Sequence, residues 1–165
     1  MSNSRKTPVL ESALPETAFR NYADTVYRLA FVRTKNRADS DDILQEVFLR
    51  YMKVYEKMES EEHIKAMLIR ITVNCSNSYK SSPWQKRTEP LNENLQSNDD
   101  VSDTYVLQQV LNLPLKYRTV IHLHYYCGYS VDEIASLQKS NPSTVKTHLS
   151  RARAILKTTI KADDL

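Results

Sequence analysis

From residue 139 to 161 the chain carries Lys139, Lys146, Arg151, Arg153, Lys157 and Lys161 and no acid. Val145, Leu149, Ala152 and Leu156 recur at helical spacing through the same stretch. With those four turned inward, a helix presents Ser143, Thr144, Lys146, Thr147, His148, Ser150 and Arg151 outward, and Arg153 beyond them. Short hydroxyls and a lysine near a helix start can hydrogen-bond base edges, while Lys and Arg further along suit phosphates. A second acid-free run, 65–87, holds Lys65, Arg70, Lys80, Lys86 and Arg87. Residues 39–62 are opposite in sign, with Asp39, Asp41, Asp42, Glu46, Glu56, Glu59, Glu61 and Glu62 against Arg50, Lys53 and Lys57. One acidic and two basic segments on a chain of net charge +3 suggest a basic partner and a polyanion contacted twice.

Other chemistries find little support. Gly128 is the only glycine, so no Gly-rich phosphate loop can form, and Rossmann and P-loop folds are excluded. Cys75 and Cys127 form no CxxC pair and read as reduced, half-buried thiols. His122, His124 and Cys127 could make a weak metal site, but on a helix only 124 and 127 share a face. No nucleophile–base pair or carboxylate dyad stands out, so no enzyme is expected. No apolar run approaches the ~18 residues of a membrane span, and the start lacks a signal-peptide core, so a cytoplasmic protein is expected.

The elements that must position these residues are helices. Residues 15–33 carry Phe19, Tyr22, Ala23, Val26, Leu29 and Ala30 on one stripe, with Pro15 in the first turn and Arg33 ending the stripe. Asp39 is the expected N-cap of the next helix, with Asp41 and Asp42 in its first turn. That helix runs to about Lys57 through Ile43, Leu44, Val47, Phe48, Tyr51, Met52 and Tyr55. A third spans about 61–80, with Ile64, Met67, Leu68, Ile71, Cys75 and Tyr79 inward and Arg70, Asn74 and Asn77 on another face. Residues 81–101 have no helical period and read as a linker containing Trp84. Beyond it, Val106, Val110, Leu111 and Leu113 predict a helix ending before Pro114, and 115–127 another, closed by Gly128 in the left-handed region. Ser130 to Glu133 form a capping box opening a short helix. After the turn 138–140, Asn141 caps the last helix, with Pro142 at its first position. Short capped helix, tight turn and longer basic helix make a helix-turn-helix.

The segment SVDEIASLQKSNPSTVKTHLSRARAILK, with LPLKYRTVIHLHYYCGYSVDEIA leading into it, resembles the DNA-reading end of bacterial RNA polymerase sigma factors. Upstream, YRLAFVRTKNRADSDDILQEVFLRYMK and HIKAMLIRITVNCSNSYK resemble region 2 of the extracytoplasmic function (ECF) group of the sigma-70 family. The resemblance covers about 15–82 and 102–160. It implies an all-α protein of two small helical domains joined by a flexible linker. The divisions are an N-terminal tail 1–14, region 2 at 15–82, a linker 83–101, a region 4 helix-turn-helix at 102–160 and a tail 161–165.

It further implies a transcription initiation factor that binds core RNA polymerase and directs it to −10 and −35 promoter elements, without catalysis, metal or cofactor. Asp41, Asp42, Gln45, Glu46 and Phe48, with Leu49 nearby, would dock on the β′ coiled coil. Glu59, Ser60, His63, Arg70, Asn74, Asn77 and Lys80 would read the −10 element on the non-template strand, with a base taken out of the stack. Ser143, Thr144, Lys146, Thr147, His148, Arg151 and Arg153 would read the −35 duplex, and that domain would touch the β flap. An anti-sigma partner and nucleoid association within holoenzyme are implied too. A sigma-like regulator that binds DNA without supporting initiation is the alternative.

Several positions depart from the family. Ile64-x-x-Met67-Leu68 stands where Phe-x-x-Trp-Leu is usual, and Met58-Glu59-Ser60 where Phe-Arg-Gly is usual. Lys139 and Ser143 replace glycines, and Ser140 an apolar plug. The acid in the loop predicts an unusual promoter preference. A left-handed Lys139 would cost roughly 1–2 kcal/mol.

Overall fold

A computed structural model describes residues 10–79 and 101–163, and the side chains of 10–79 and 105–160. The expected linker and Trp84 lie outside the described residues. All regular structure among them is helical: α1 (Pro15–Thr34), α2 (Arg37–Tyr51), α3 (Glu61–Tyr79), α4 (Val101–Leu111), α5 (Leu115–Ile121), α6 (Val131–Gln138) and α7 (Pro142–Asp163).

The first three helices pack on one another around Val26, Ala30, Ile43, Val47, Tyr51, Ile64, Leu68 and Cys75. Pro15 starts α1 as expected, where its missing N–H costs nothing. Just before it, residues 11–13 of the expected N-terminal tail pack on the core. Residues 11–13 form a tight turn, Ala13 is fully buried, and its carbonyl accepts the Tyr51 hydroxyl at 2.6 Å.

The cap of α2 is Asn36, not Asp39: its side-chain oxygen accepts the Asp39 N–H at 2.9 Å. The helix therefore begins at Arg37, and Asp41 and Asp42 lie beyond the first turn, past the reach of simple dipole capping. It also ends at Tyr51 rather than Lys57. The chain leaves the helix there, and Val54, Tyr55 and Met58 fold back on the same core. Met52, expected inward, is 55% exposed as a result. Phe19 is likewise displaced from the core by Ala18 and packs edge-on to Phe48, with ring centres 4.9 Å apart.

The second half is built around α7, against which α5 and α6 pack. Ser130 caps α6, accepting the Glu133 N–H and donating to the Glu133 carboxylate. The expected helix over 115–127 is interrupted. From His122 to Tyr126 it widens into a π turn, and Cys127 N–H reaches back five residues to the His122 carbonyl at 3.0 Å. Gly128 follows at φ +80°.

Lys139 closes α6 in the left-handed region, φ 52° and ψ 45°, and the Ser140 N–H returns to the Ala135 carbonyl. A lysine there is strained where glycine would not be. Lys139→Gly should therefore stabilise the chain by about 1 kcal/mol, raising Tm by about 2–4 °C in a thermal melt. An unchanged or lowered Tm would contradict this.

The two halves are not separate cores. Leu29 of α1 and Ile69 and Val73 of α3 belong to the same buried cluster as Leu113, Val120, Leu123, Ile134, Val145 and Leu149. Helix α3 thus buries two faces: Ile64, Leu68 and Cys75 against α1 and α2, Ile69 and Val73 against the second half. Arg33, expected to end the α1 stripe, is only 7% exposed and lies in the seam between the halves.

Candidate nucleic-acid interface

Helix α7 presents its polar set outward. Ser143, Thr144, Lys146, Thr147, Ser150 and Arg151 are exposed, while Val145, Leu149 and Ala152 are buried. Asn141 stands at the cap, its carbonyl accepting the Val145 N–H at 3.2 Å and its side-chain oxygen the Ser143 hydroxyl at 3.3 Å. The Thr147 hydroxyl is occupied by the Ser143 carbonyl. Its methyl and the lysine and arginine around it form the free surface.

Two members depart from that face. His148 is half-buried and packs edge-on against Tyr117, with centroids 5.6 Å apart. Desolvation, then Lys116 and Arg151, push its pKa down. Arg153 leans on Tyr125: its Nε donates to the Tyr125 hydroxyl at 2.5 Å and its guanidinium lies over the ring. Its charge stays in solvent while its direction is fixed.

The loop before α3 is tied to the helix start. Ser60 is the N-cap, its carbonyl accepting the Ile64 N–H and its hydroxyl the His63 N–H at 3.1 Å. His63 Nδ1 accepts the Glu59 N–H at 3.2 Å, which leaves the ring proton on Nε2. The serine that replaces the family's glycine thus has a local structural task. Ser60→Ala should cost about 1 kcal/mol, read as a lowered urea midpoint. An unchanged midpoint would show the cap to be dispensable.

On α3 itself, Asn74 is exposed and free to meet a base edge. Asn77 is exposed, yet its Oδ1 accepts from Arg33 Nη2 at 2.6 Å. Arg70 is half-buried, and its Nε has no hydrogen-bond partner among the described residues. Lys80 lies outside the described residues. Spacing alone put Arg70, Asn74 and Asn77 on one face; it gave no sign that Arg33 would occupy Asn77.

The acidic face of α2 exposes Asp41, Asp42 and Gln45. Glu46 is half-buried and paired to Arg50 at 2.8 Å. Burial, then Asp42, push the Asp39 carboxyl up. Phe48 does not belong to this surface: it is 8% exposed, because it fills the core between Phe19 and Tyr51. The apolar side chains that α2 does offer are Leu49 and Met52. Leu49 was detectable in sequence as a leucine off the helix's inward stripe.

Among the described residues no three His, Cys, Asp or Glu groups converge as metal ligands. His124 Nδ1 is taken up by the Tyr129 carbonyl, and Cys127 is buried. No described helix is long and apolar enough to cross a membrane.

With this geometry in place, two family models match the chain: Sigma-70 region 2 over residues 18–84 and Sigma-70, region 4 over 104–156. RNA polymerase sigma factor SigV of Bacillus subtilis is 28% identical over 159 residues, covering 93% of this chain and 95% of that protein. ECF RNA polymerase sigma factor SigW of the same organism is 28% identical over 156 residues, covering 82% of this chain and 83% of its own. In fold, the chain is similar to the sigma factor RpoE solved in complex with the anti-sigma factor NepR from Bartonella quintana. That match has a TM-score of 0.73 at 19% identity and covers 90% of this chain and 97% of the other. An acidic helix face, a basic helix-turn-helix and both region models in this order make one conclusion: the chain belongs to the ECF group of the sigma-70 family, the promoter-directing initiation factors of bacterial RNA polymerase.

Proposed function

We propose that this sigma factor engages three partners with three surfaces. The exposed polar residues of α2, Asp41, Asp42 and Gln45, with the exposed apolar Leu49 and Met52 following them in the chain, dock on the basic side of the polymerase β′ coiled coil. Acids give such a contact its attraction and speed, and the apolar pair gives it area to bury. The loop 59–63 and the Arg70, Asn74, Asn77 face of α3, with Lys80 following, hold the unstacked non-template strand of the −10 element. The outward face of α7 enters the major groove at the −35 element: Ser143, Thr144 and Lys146 nearest the bases, Arg151 and Arg153 on phosphates. Residues 15–82 and 102–160 are the two working units, and 83–101 connects them.

The observation that carries this assignment is the opposed charge of two exposed helix faces, acids on α2 and the acid-free stretch 142–156 of α7, within the two matched regions. A chain with these surfaces acts in the cytoplasm, on the nucleoid once in holoenzyme, and performs no catalysis itself. An anti-sigma protein is a natural further partner, since the similar sigma factor RpoE was solved in complex with the anti-sigma factor NepR.

The test is co-elution of the purified chain with bacterial core RNA polymerase on a sizing column. A stoichiometric complex supports the assignment. Binding to duplex DNA with no polymerase complex would favour a sigma-like regulator instead. For the DNA surface, Arg151→Ala should weaken duplex binding and lower the salt slope, log K against log salt, by about 1. A slope equal to that of the unaltered chain would remove Arg151 from the phosphate contacts.

A further inference from the structure

The π turn delivers two tyrosines to the surface. Leu123 and Cys127 stay in the core, but Tyr125 and Tyr126 are 60% and 53% exposed. A π turn holds about one residue more than an α turn, which carries the side chains at its end back around the axis. Tyr125 is thereby set against Arg153 of α7. Its hydroxyl accepts the Arg153 Nε–H at 2.5 Å, and the guanidinium carbon lies 5.5 Å from its ring centre. The tyrosine ring is itself braced. The His124 ring meets it edge-on with centres 4.8 Å apart, and His124 Nδ1 is held by the Tyr129 carbonyl at 2.7 Å.

We propose that Tyr125 and Arg153 form a clamp for one DNA phosphate at the edge of the −35 contact. The proposal rests on the −35 assignment above and adds Tyr125 to it. A tyrosine hydroxyl can accept and donate at once. Here it accepts from Arg153, so its own proton is free for a phosphate oxygen. The two Nη groups of Arg153 have no hydrogen-bond partner among the described residues and are free for a second oxygen of the same phosphate. Both bonds run to an anion, which makes them stronger than neutral pairs.

The surroundings favour an anion and offer no substitute for it. Between residues 104 and 162 the only acids are Asp132 and Glu133, at the opening of α6. Arg20, Arg28 and Arg50 are each paired to an acid one helical turn away, whereas Arg153 has no carboxylate partner among the described residues. Lys146 and Lys157 are exposed on the same stripe of α7, seven residues before Arg153 and four after it. The clamp therefore sits in a row of cations bordering the outward face. The ring beneath the guanidinium also restricts its rotamers before DNA arrives, so less freedom is lost on binding.

The experiment measures binding of a mixed-sequence DNA duplex by the full chain across a series of salt concentrations, since phosphate contacts carry no sequence information. Both residues are exposed, so their variants leave the core intact. Tyr125→Phe keeps the ring and every charge. It should weaken binding about fivefold while leaving the slope of log K against log salt unchanged. Arg153→Lys keeps the charge but loses the Nε–H, and should behave alike. Arg153→Ala should weaken binding further and lower the slope by about 1. In the Arg153→Ala background, Tyr125→Phe should then cost less than about twofold, because the pair acts as a unit. Equal binding by Tyr125→Phe and the unaltered chain would overturn the clamp. So would the full fivefold cost persisting in the Arg153→Ala background. No duplex binding by the unaltered chain would instead reject the −35 assignment itself, and the clamp with it.

Discussion

Asp42→Lys should weaken binding to core RNA polymerase by at least about tenfold while leaving the melting temperature within a few degrees, because it places a like charge against a basic partner. Asp42 is exposed on α2, beside Asp41, and its side chain is no part of the core. It lies past the first turn, since Asn36 caps the helix, so the α2 dipole gains little from it. Lysine is as good a helix former as the position requires. The effect should therefore fall on the interface and not on the fold. Glu46 makes a useful contrast. Its carboxylate is already paired to Arg50, so Glu46→Gln should change affinity less than Asp42→Lys does. Leu49→Ala tests the apolar part of the same surface, and its loss should be insensitive to salt where that of Asp42→Lys is screened. Titration of labelled polymerase, paired with thermal melts, measures all three. Equal affinities for Asp42→Lys and the unaltered chain would move the docking surface off α2.

What could be learned from the sequence follows from how local each feature is. The Ser130–Glu133 cap, the left-handed Gly128 and the strained Lys139 are decided within four or five residues, and each stands where spacing put it. The outward face of α7 was legible for the same reason: one helix period against one core. Its exceptions, His148 on Tyr117 and Arg153 on Tyr125, depend on aromatic rings 28 or more positions away along the chain. Helix α3 was half legible. The stripe Ile64, Leu68 and Cys75 marked one buried face, whereas Thr72 and Ser76 are buried polar groups that no hydropathy pattern flags. Their hydroxyls are satisfied by the Leu68 and Val73 carbonyls one turn back.

Arg33 was misplaced for a related reason. At the end of an apolar stripe an arginine ordinarily marks solvent. Here its three nitrogens find acceptors on α3 and α5, one of them supplied from across a seam that no local pattern describes. The same holds for Phe48, whose aromatic side chain looked available for a partner until Phe19 and Tyr51 were seen to enclose it. Local rules place caps and faces; they cannot say which face a second unit will cover.

The π turn yields the other large expectation. Between about pH 6.5 and pH 4 the chain should lose about 3 kcal/mol of stability through one residue, His122. Its ring is buried, stacked on Tyr126 at 4.8 Å, and its Nε2 has no hydrogen-bond partner among the described residues. Desolvation, with Arg28 of α1 adding repulsion, holds its pKa down to about 4. The unfolded chain takes up a proton near pH 6.5 and the folded chain only near pH 4. In that window the unfolded state binds more protons, so stability falls as pH falls. Asp39 works in the opposite sense, since its raised pKa favours the protonated carboxyl in the folded state, but it is partly exposed and its share is correspondingly small. Carboxylates common to every variant contribute to acid unfolding as well, so the comparison must be between chains. His122→Phe keeps an aromatic ring against Tyr126 and removes the titrating group. Urea midpoints at pH 7, 6, 5 and 4.5 should fall steeply for the unaltered chain and distinctly less for His122→Phe. Parallel curves would mean that His122 is protonated at no special cost, and that the π turn opens readily enough to let water reach it.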